Sequence, residues 1–272
     1  MRRSPIISFV TISLLLGLSV AAIAAPKKKP PPSPPPPPTW TWSGYYLGLN
    51  LGYSWGQSNL TEILVDSGTG ATLFTGTSTV NITGVIGGGQ AGYNWQSGNW
   101  VFGIEADFQG SGERGSVTFT CAACSTSTVT ASITERLDWF GTVRPRLGWT
   151  VTPTTMVYAT GGLAYGELND SGVISNGTAA TSFSFSKVSA GWTAGGGIEG
   201  QLSGNWTWKV EYLFMELLEP SGSDPTSIPA VPAGCTPGFN CIPGVGNGHL
   251  NNNTDPSFTD NIVRAGINYK WP

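Results

Sequence analysis

Residues 100–108 alternate strictly. Trp100, Phe102, Ile104, Ala106 and Phe108 fall on one face of an extended chain; Val101, Gly103, Glu105 and Asp107 fall on the other. Successive side chains of a strand point to opposite faces, so a period of two predicts a strand with one oily and one polar side. The pattern recurs and predicts eight strands: 42–55, 82–96, 99–109, 133–150, 155–167, 183–201, 205–217 and 258–271. Their connections alternate in length. Those after the first, third, fifth and seventh strands are long (57–81, 110–132, 168–182 and 218–257), and those between are short (97–98, 151–154 and 202–204). Long loops at one end and short turns at the other suit an eight-stranded antiparallel up-and-down transmembrane β-barrel, an all-β fold.

Alternation alone does not say which face is inside. The oily faces hold Tyr45, Leu47, Leu49, Leu51, Tyr53 and Trp55 on the first strand, and Leu137, Trp139, Val143, Leu147 and Trp149 on the fourth. The seventh strand has Trp206, Trp208, Val210, Tyr212 and Phe214, and the eighth Val263, Ala265, Ile267, Tyr269 and Trp271. On the fifth the pattern is weak, with Val157, Ala159, Leu163 and Tyr165 as the oily set. The opposite faces carry Glu105, Asp107, Asp138, Arg144, Arg146, Glu199, Lys209, Glu211, Arg264 and Lys270. Set against an aliphatic core, those charges cost several kcal/mol each unless paired. Turning the charged face to water instead requires an eight-stranded interior to hold nearly all the tryptophan and tyrosine, and such an interior is only just wide enough for side chains. Aromatics against lipid, around a lumen of paired charges, satisfy both limits. Two irregularities are expected: a bulge near Lys187 or a strand top above the membrane, where the phase slips between Phe185 and Val188, and a bulge or irregular ladder at Pro145.

Composition agrees with strands and turns. The 38 glycines outnumber the 13 basic and 16 acidic residues together, and 11 tryptophans accompany only 11% charged residues. A soluble domain carries about 25% charged residues. The one basic block, Lys27-Lys28-Lys29, and a formal charge of -3 give little support to nucleic-acid binding.

The chain opens with Arg2 and Arg3, an apolar run from Ile6 to Ile23 and the small-residue site Ala22-Ile23-Ala24. That order reads as a signal peptide over 1–24, the competing reading being a membrane anchor. Residues 25–39 form a proline-rich periplasmic linker, stiff and without a core, and residues 40–272 the barrel. An even strand count puts both barrel ends on the short-turn side, in the periplasm. Four cysteines in an exported chain are disulfide candidates: Cys121 with Cys124 and Cys235 with Cys241 is the simplest of three connectivities. Redox and zinc readings of Cys121-Ala122-Ala123-Cys124 lack the strand-helix context and the ligand spacing.

Repeats support duplicated hairpins: SGNWVFGIE (97–105) against SGNWTWKVE (203–211), and TVRPRLGW (142–149) against IVRAGINY (262–269). WSGYYLGLNLGYSWG, WFGTVRPRLGW and NIVRAGINYKW together resemble the small outer-membrane β-barrels of alphaproteobacteria, the porin-family or outer-membrane immunogenic proteins of the OmpA/OmpX-like barrel superfamily. The resemblance covers about residues 40–271. It implies an eight-stranded barrel in the bacterial outer membrane, with lipid and lipopolysaccharide around it. It also implies a closing strand read by the barrel assembly machinery through Tyr269 and Trp271, although Pro272 follows where an aromatic usually ends the chain.

The function expected is a structural or narrow-pore outer-membrane protein with long surface loops. A general porin needs about 16–18 strands. The alternative is a surface binder or adhesin for a host factor or haem; some members of the resembled group bind haem, but His249 and the tyrosines form no haem-specific pattern. An enzyme is not expected. A lone histidine in a Gly/Asn-rich loop is thin support for an activated nucleophile. No catalytic, cofactor or metal residues are assigned.

Overall fold

The computed structural model describes residues 40–66, 72–121, 129–175, 180–218, 225–226, 248–251 and 257–271. Eight long strands dominate: β1 (Gly44–Asp66), β2 (Thr72–Ser97), β3 (Trp100–Cys121), β4 (Val129–Thr152), β5 (Thr155–Ser175), β6 (Ala180–Ser203), β7 (Trp206–Leu218) and β10 (Ser257–Trp271). Two short pieces, β8 (Pro225–Thr226) and β9 (Gly248–Asn251), lie between the last two. Every long strand pairs antiparallel with its sequence neighbour, and β10 closes on β1 from Tyr45↔Trp271 to Ser58↔Phe258. A closed ring leaves no open edge along the barrel wall, which hydrocarbon requires. β2–β3 and β6–β7 turn at Gly98-Asn99 and Gly204-Asn205; the glycines have φ of 61° and 52°, the left-handed region tight hairpins favour.

In the half nearest these turns the oily faces point out. Leu47, Leu49, Leu51, Phe102, Ile104, Leu147 and Ile267 are all exposed. Two belts of aromatic rings bound this zone. At the turn end, Tyr45 meets Tyr93 (4.5 Å between centroids), Trp100 meets Trp149 (4.8 Å), and Tyr269 meets both Trp206 (5.1 Å) and Trp271 (4.9 Å). At the other edge Trp139 contacts Phe108 (5.4 Å) and Tyr165 (6.1 Å), and Trp192 contacts Phe214 (5.4 Å). Paired girdles flanking an apolar band are the arrangement of a membrane-spanning barrel.

Beyond the second belt the polarity reverses. On β3, Val117 and Phe119 pack inward while Arg114, Ser116, Thr118 and Thr120 are exposed. On β2, Val80 and Ile82 are buried and Thr79, Asn81 and Thr83 exposed. Segments 57–81, 110–132 and 168–182, expected as loops, are mostly strand, because β1 to β6 run on as polar-faced hairpins. Their Ser, Thr and Asn content reads as loop only if lipid is assumed to cover every strand.

The interior is also more apolar than expected. Ile82, Ile86, Leu137, Phe140, Leu168, Leu213, Met215, Leu217, Phe258 and Ile262 form one buried cluster towards the long-hairpin end. Leu137 was expected to face lipid, yet it is fully buried. Between Leu137 and Trp139 the pairing of β4 shifts against both neighbours: Asp138 is the extra residue against β5, whereas against β3 the extra residue lies in Ser111-Gly112, and the slip at Asp138 exchanges the faces of β4 on either side. Around Pro145 the β4–β5 register is unchanged, but pairing is interrupted between Val143↔Leu163 and Arg146↔Thr160. The irregular ladder is therefore present and the bulge lies at Asp138 instead. No bulge occurs near Lys187, where β5–β6 pairing is unbroken from Tyr165↔Ala190 to Asp170↔Phe185. The proposed signal and linker, Cys124, Cys235, Cys241 and the side chain of Cys121 lie outside the described residues.

Candidate functional site

Inward alternation on β3, β4, β6, β7 and β10 brings eight charged residues to one level of the lumen. Arg144 reaches Glu105 (2.8 Å), Asp107 (2.9 Å) and Glu211 (3.3 Å). Arg264 reaches Glu211 (2.6 Å) and shares Asp107 at 2.9 Å. Lys209 Nζ donates to both oxygens of Glu105, at 2.8 and 3.0 Å. Arg146 donates to Glu199 at 2.7 Å and packs 4.1 Å over the Tyr158 ring. Four acids thus face four bases, and the set is neutral. All eight are buried. Neutral donors add to the carboxylates: Tyr46 Oη to Glu105 (2.8 Å), Tyr158 Oη to Glu211 (2.9 Å), Thr142 Oγ1 to Asp107 (2.7 Å), and Thr207 Oγ1 (2.7 Å) and Asn268 Nδ2 (3.0 Å) to Glu199. Such crosslinks tie distant strands to one another across the lumen.

The other two expected charges stand apart. Lys270 is buried at the turn-end mouth, its Nζ 5.2 Å from the Trp40 ring centroid. Asp138 does not face the lumen. The bulge turns it to the barrel exterior, where it accepts from Arg136 at 2.6 Å and from Asn169 at 2.7 Å, with about a third of its side chain exposed.

Two closures lie on either side of the network. At the turn end Trp42 is buried among Val101, Met156 and Tyr158, its backbone N–H donating to Gln96 Oε1 at 2.7 Å. At the other end stands the apolar cluster, and it contains a pair the sequence reading missed. Glu113 and Asp260 are both buried, and Ser54 Oγ donates to Asp260 Oδ1. Ser111 Oγ donates to Glu113 Oε1 at 3.0 Å. Both residues lie past the second belt: Glu113 pairs with Leu137 while Gly110 pairs with Trp139, and Asp260 pairs with Gly56, next to Trp55. Burial first, and then the neighbouring Asp260, push the Glu113 carboxyl up to about 8; burial raises Asp260 to about 6. Asp260 shares the parity of Arg264, so its inward aim was legible. Glu113 was hidden because its segment read as a loop.

Among the described residues no cluster of three or more His, Cys, Asp or Glu has metal-binding geometry. His249 falls on β9, whose backbone pairs with Val65 of β1, instead of in an unpaired loop.

A family model described as the outer membrane protein beta-barrel domain matches residues 11–228. The 31 kDa outer-membrane immunogenic protein of Brucella melitensis biotype 1 is 40% identical over 180 residues, covering 66% of this chain and 72% of its own. The 22 kDa outer membrane protein of Rhizobium leguminosarum bv. viciae is 32% identical over 131 residues, 47% of this chain and 52% of its own. Among solved structures, the attachment invasion locus protein Ail of Yersinia pestis aligns at 11% identity and a TM-score of 0.32, over 84% of this chain and 99% of its own.

Proposed function

The chain belongs to the outer membrane protein β-barrel domain family, and from that premise we propose a structural barrel whose lumen is sealed against solutes. In this reading the short-turn end, with Trp40 and Trp271, faces the periplasm. The hairpins that run past the second aromatic belt stand on the cell surface, and lipid with lipopolysaccharide surrounds the apolar band. The observation that carries the proposal is the stacking of three closures in one lumen: Trp42, the neutral network around Arg144 and Arg264, and the apolar cluster around Phe140 and Met215. Eight strands leave room for little more than side chains. Planar-bilayer recording of the refolded protein at neutral pH tests it. Silence or rare, small steps are expected, and large steady currents overturn the sealed barrel.

A second reading is a surface binder, favoured by the extension of β1 to β6 beyond the membrane zone. That extension carries the far ends of the β1–β2, β3–β4 and β5–β6 pairs clear of the lipid on a rigid support, and segments on rigid supports carry recognition. The names of the Brucella relatives, as immunogenic proteins, accord with exposure of this end. Loss of binding to host-cell surfaces on shortening the β1–β2, β3–β4 and β5–β6 pairs back to the second belt supports it; unchanged binding removes it.

A further inference from the structure

The apolar cluster that closes the long-hairpin end is built around two acids. No lysine or arginine hydrogen-bonds either Glu113 or Asp260 among the described residues, and Glu113 Oε2 and Asp260 Oδ2 have no hydrogen-bond partner there. Ser54 Oγ donates to Asp260 Oδ1, and Ser54 pairs with Gly84, which has no side chain and packs against Glu113 of the next strand. The walls are Ile82 and Ile86 from β2, Leu137 and Phe140 from β4, Met215 and Leu217 from β7, and Ile262 from β10. The remaining charged groups at this end are otherwise engaged. Glu135 on β4 accepts from Ser58 on β1 at 3.3 Å, Lys187 on β6 makes contacts of its own, and Arg264, one layer down on β10, is committed to Asp107 and Glu211.

Two neighbouring carboxylates with no cationic partner in an apolar setting repel each other, and each loses its hydration. One proton resolves both problems. A protonated Glu113 donates its O–H to Ser54 Oγ, Ser54 donates to Asp260, and the chain carries a single negative charge. We propose that Glu113, Ser54 and Asp260 form a one-proton latch that keeps the long-hairpin end of the lumen dry and lets water enter when the proton leaves to solvent. The latch ties β3, β1 and β10 across the barrel closure, the seam where the last strand meets the first. The raised carboxyl values of both acids agree with a proton held at neutral pH. This inference rests on the sealed-barrel reading and adds a control to it.

The test uses the full-length protein refolded into lipid vesicles, with infrared spectroscopy and hydrogen exchange corrected for intrinsic rates. At about pH 6 a C=O band of a buried carboxylic acid is expected, lost by about pH 9.5 and absent from Glu113→Gln. Over the same interval, protection of amides in 54–58 and 258–262 is expected to fall by about tenfold or more, while that of 45–50 and 264–270 holds. Glu113→Gln keeps a neutral donor in place, so its protection should not change with pH. Asp260→Asn, which removes one of the two charges, serves the same comparison should Glu113→Gln fail to fold. Protection in the wild type that is indifferent to pH, or a fall that persists in the variants, overturns the latch. Steady conductance at about pH 6 would instead defeat the sealed barrel itself, whereas a silent barrel with pH-independent protection retires the latch alone.

Discussion

Arg264 Nη2 lies 2.6 Å from Glu211 Oε2, and both side chains are withdrawn from water. Removing one member leaves the otherwise neutral buried network with one charge in excess. Arg264→Met or Glu211→Leu should each cost about 3–5 kcal/mol. The double replacement, which removes both charges, should cost less than either alone. Urea midpoints of vesicle-refolded protein, compared around this cycle, check it. Additive losses would mean that the pair is not coupled.

Asp107 and Asp138 carry the same group into opposite surroundings. Asp107 is buried between Arg144 and Arg264, whereas Asp138 and Arg136 form an ion pair with side chains 34% and 49% exposed. Asp107→Ala should cost about 3–5 kcal/mol. Asp138→Ala should cost under about 1 kcal/mol. The shift of each protein's folded band on unheated gels, followed against temperature, ranks the two. Equal losses would refute the position assigned to the bulge.

Gly92 lies beneath the Tyr46 hydroxyl, where any added Cβ meets the phenol ring. Gly92→Ala therefore pushes Tyr46 away from Glu105, its partner at 2.8 Å. A loss of about 1–3 kcal/mol is expected, as for other overpacked interiors. Tyr46→Phe in the same background should add little further loss, since the hydrogen bond is already broken.

The pH dependence of stability follows from Glu113. Its folded carboxyl titrates at about 8, against 4.5 for the ordinary group. Between those values the folded barrel binds a proton that the unfolded chain has released, so the free energy of unfolding falls as pH rises through this window. Below the ordinary value both states are protonated and this contribution is level. Thermal midpoints should therefore decline from about pH 5 to about pH 8, and Glu113→Gln should flatten the decline. A midpoint that rises over that range in the wild type contradicts the assignment.

Strand number, topology and the outward set from Leu47 to Ile267 were legible because lipid and lumen impose opposite polarity on alternate residues. The weakly patterned fifth strand obeyed the same parity, with Val157, Leu163 and Tyr165 outward. Legibility failed where that contrast fails. Past the second aromatic belt a paired strand such as 113–120 carries Arg114, Ser116, Thr118 and Thr120 outside and Val117 and Phe119 inside, and its sequence resembles a loop. It failed again at Asp138, because a bulge adds one residue without marking it in the composition, and Leu137 and Asp138 exchanged faces.

The sequence by itself determined that this chain closes eight strands with aromatics outward and charges inward, since a period of two and a shortage of charge admit few other foldings. Only the tertiary structure decided which acid meets which base, that Trp42 and the Phe140–Met215 cluster lie on either side of them, and that Glu113 and Asp260 are buried together beyond the second belt. Those contacts join strands far apart in the chain. Their geometry depends on register and on bulges such as those at Asp138 and between Gly110 and Glu113, and neither leaves a local trace.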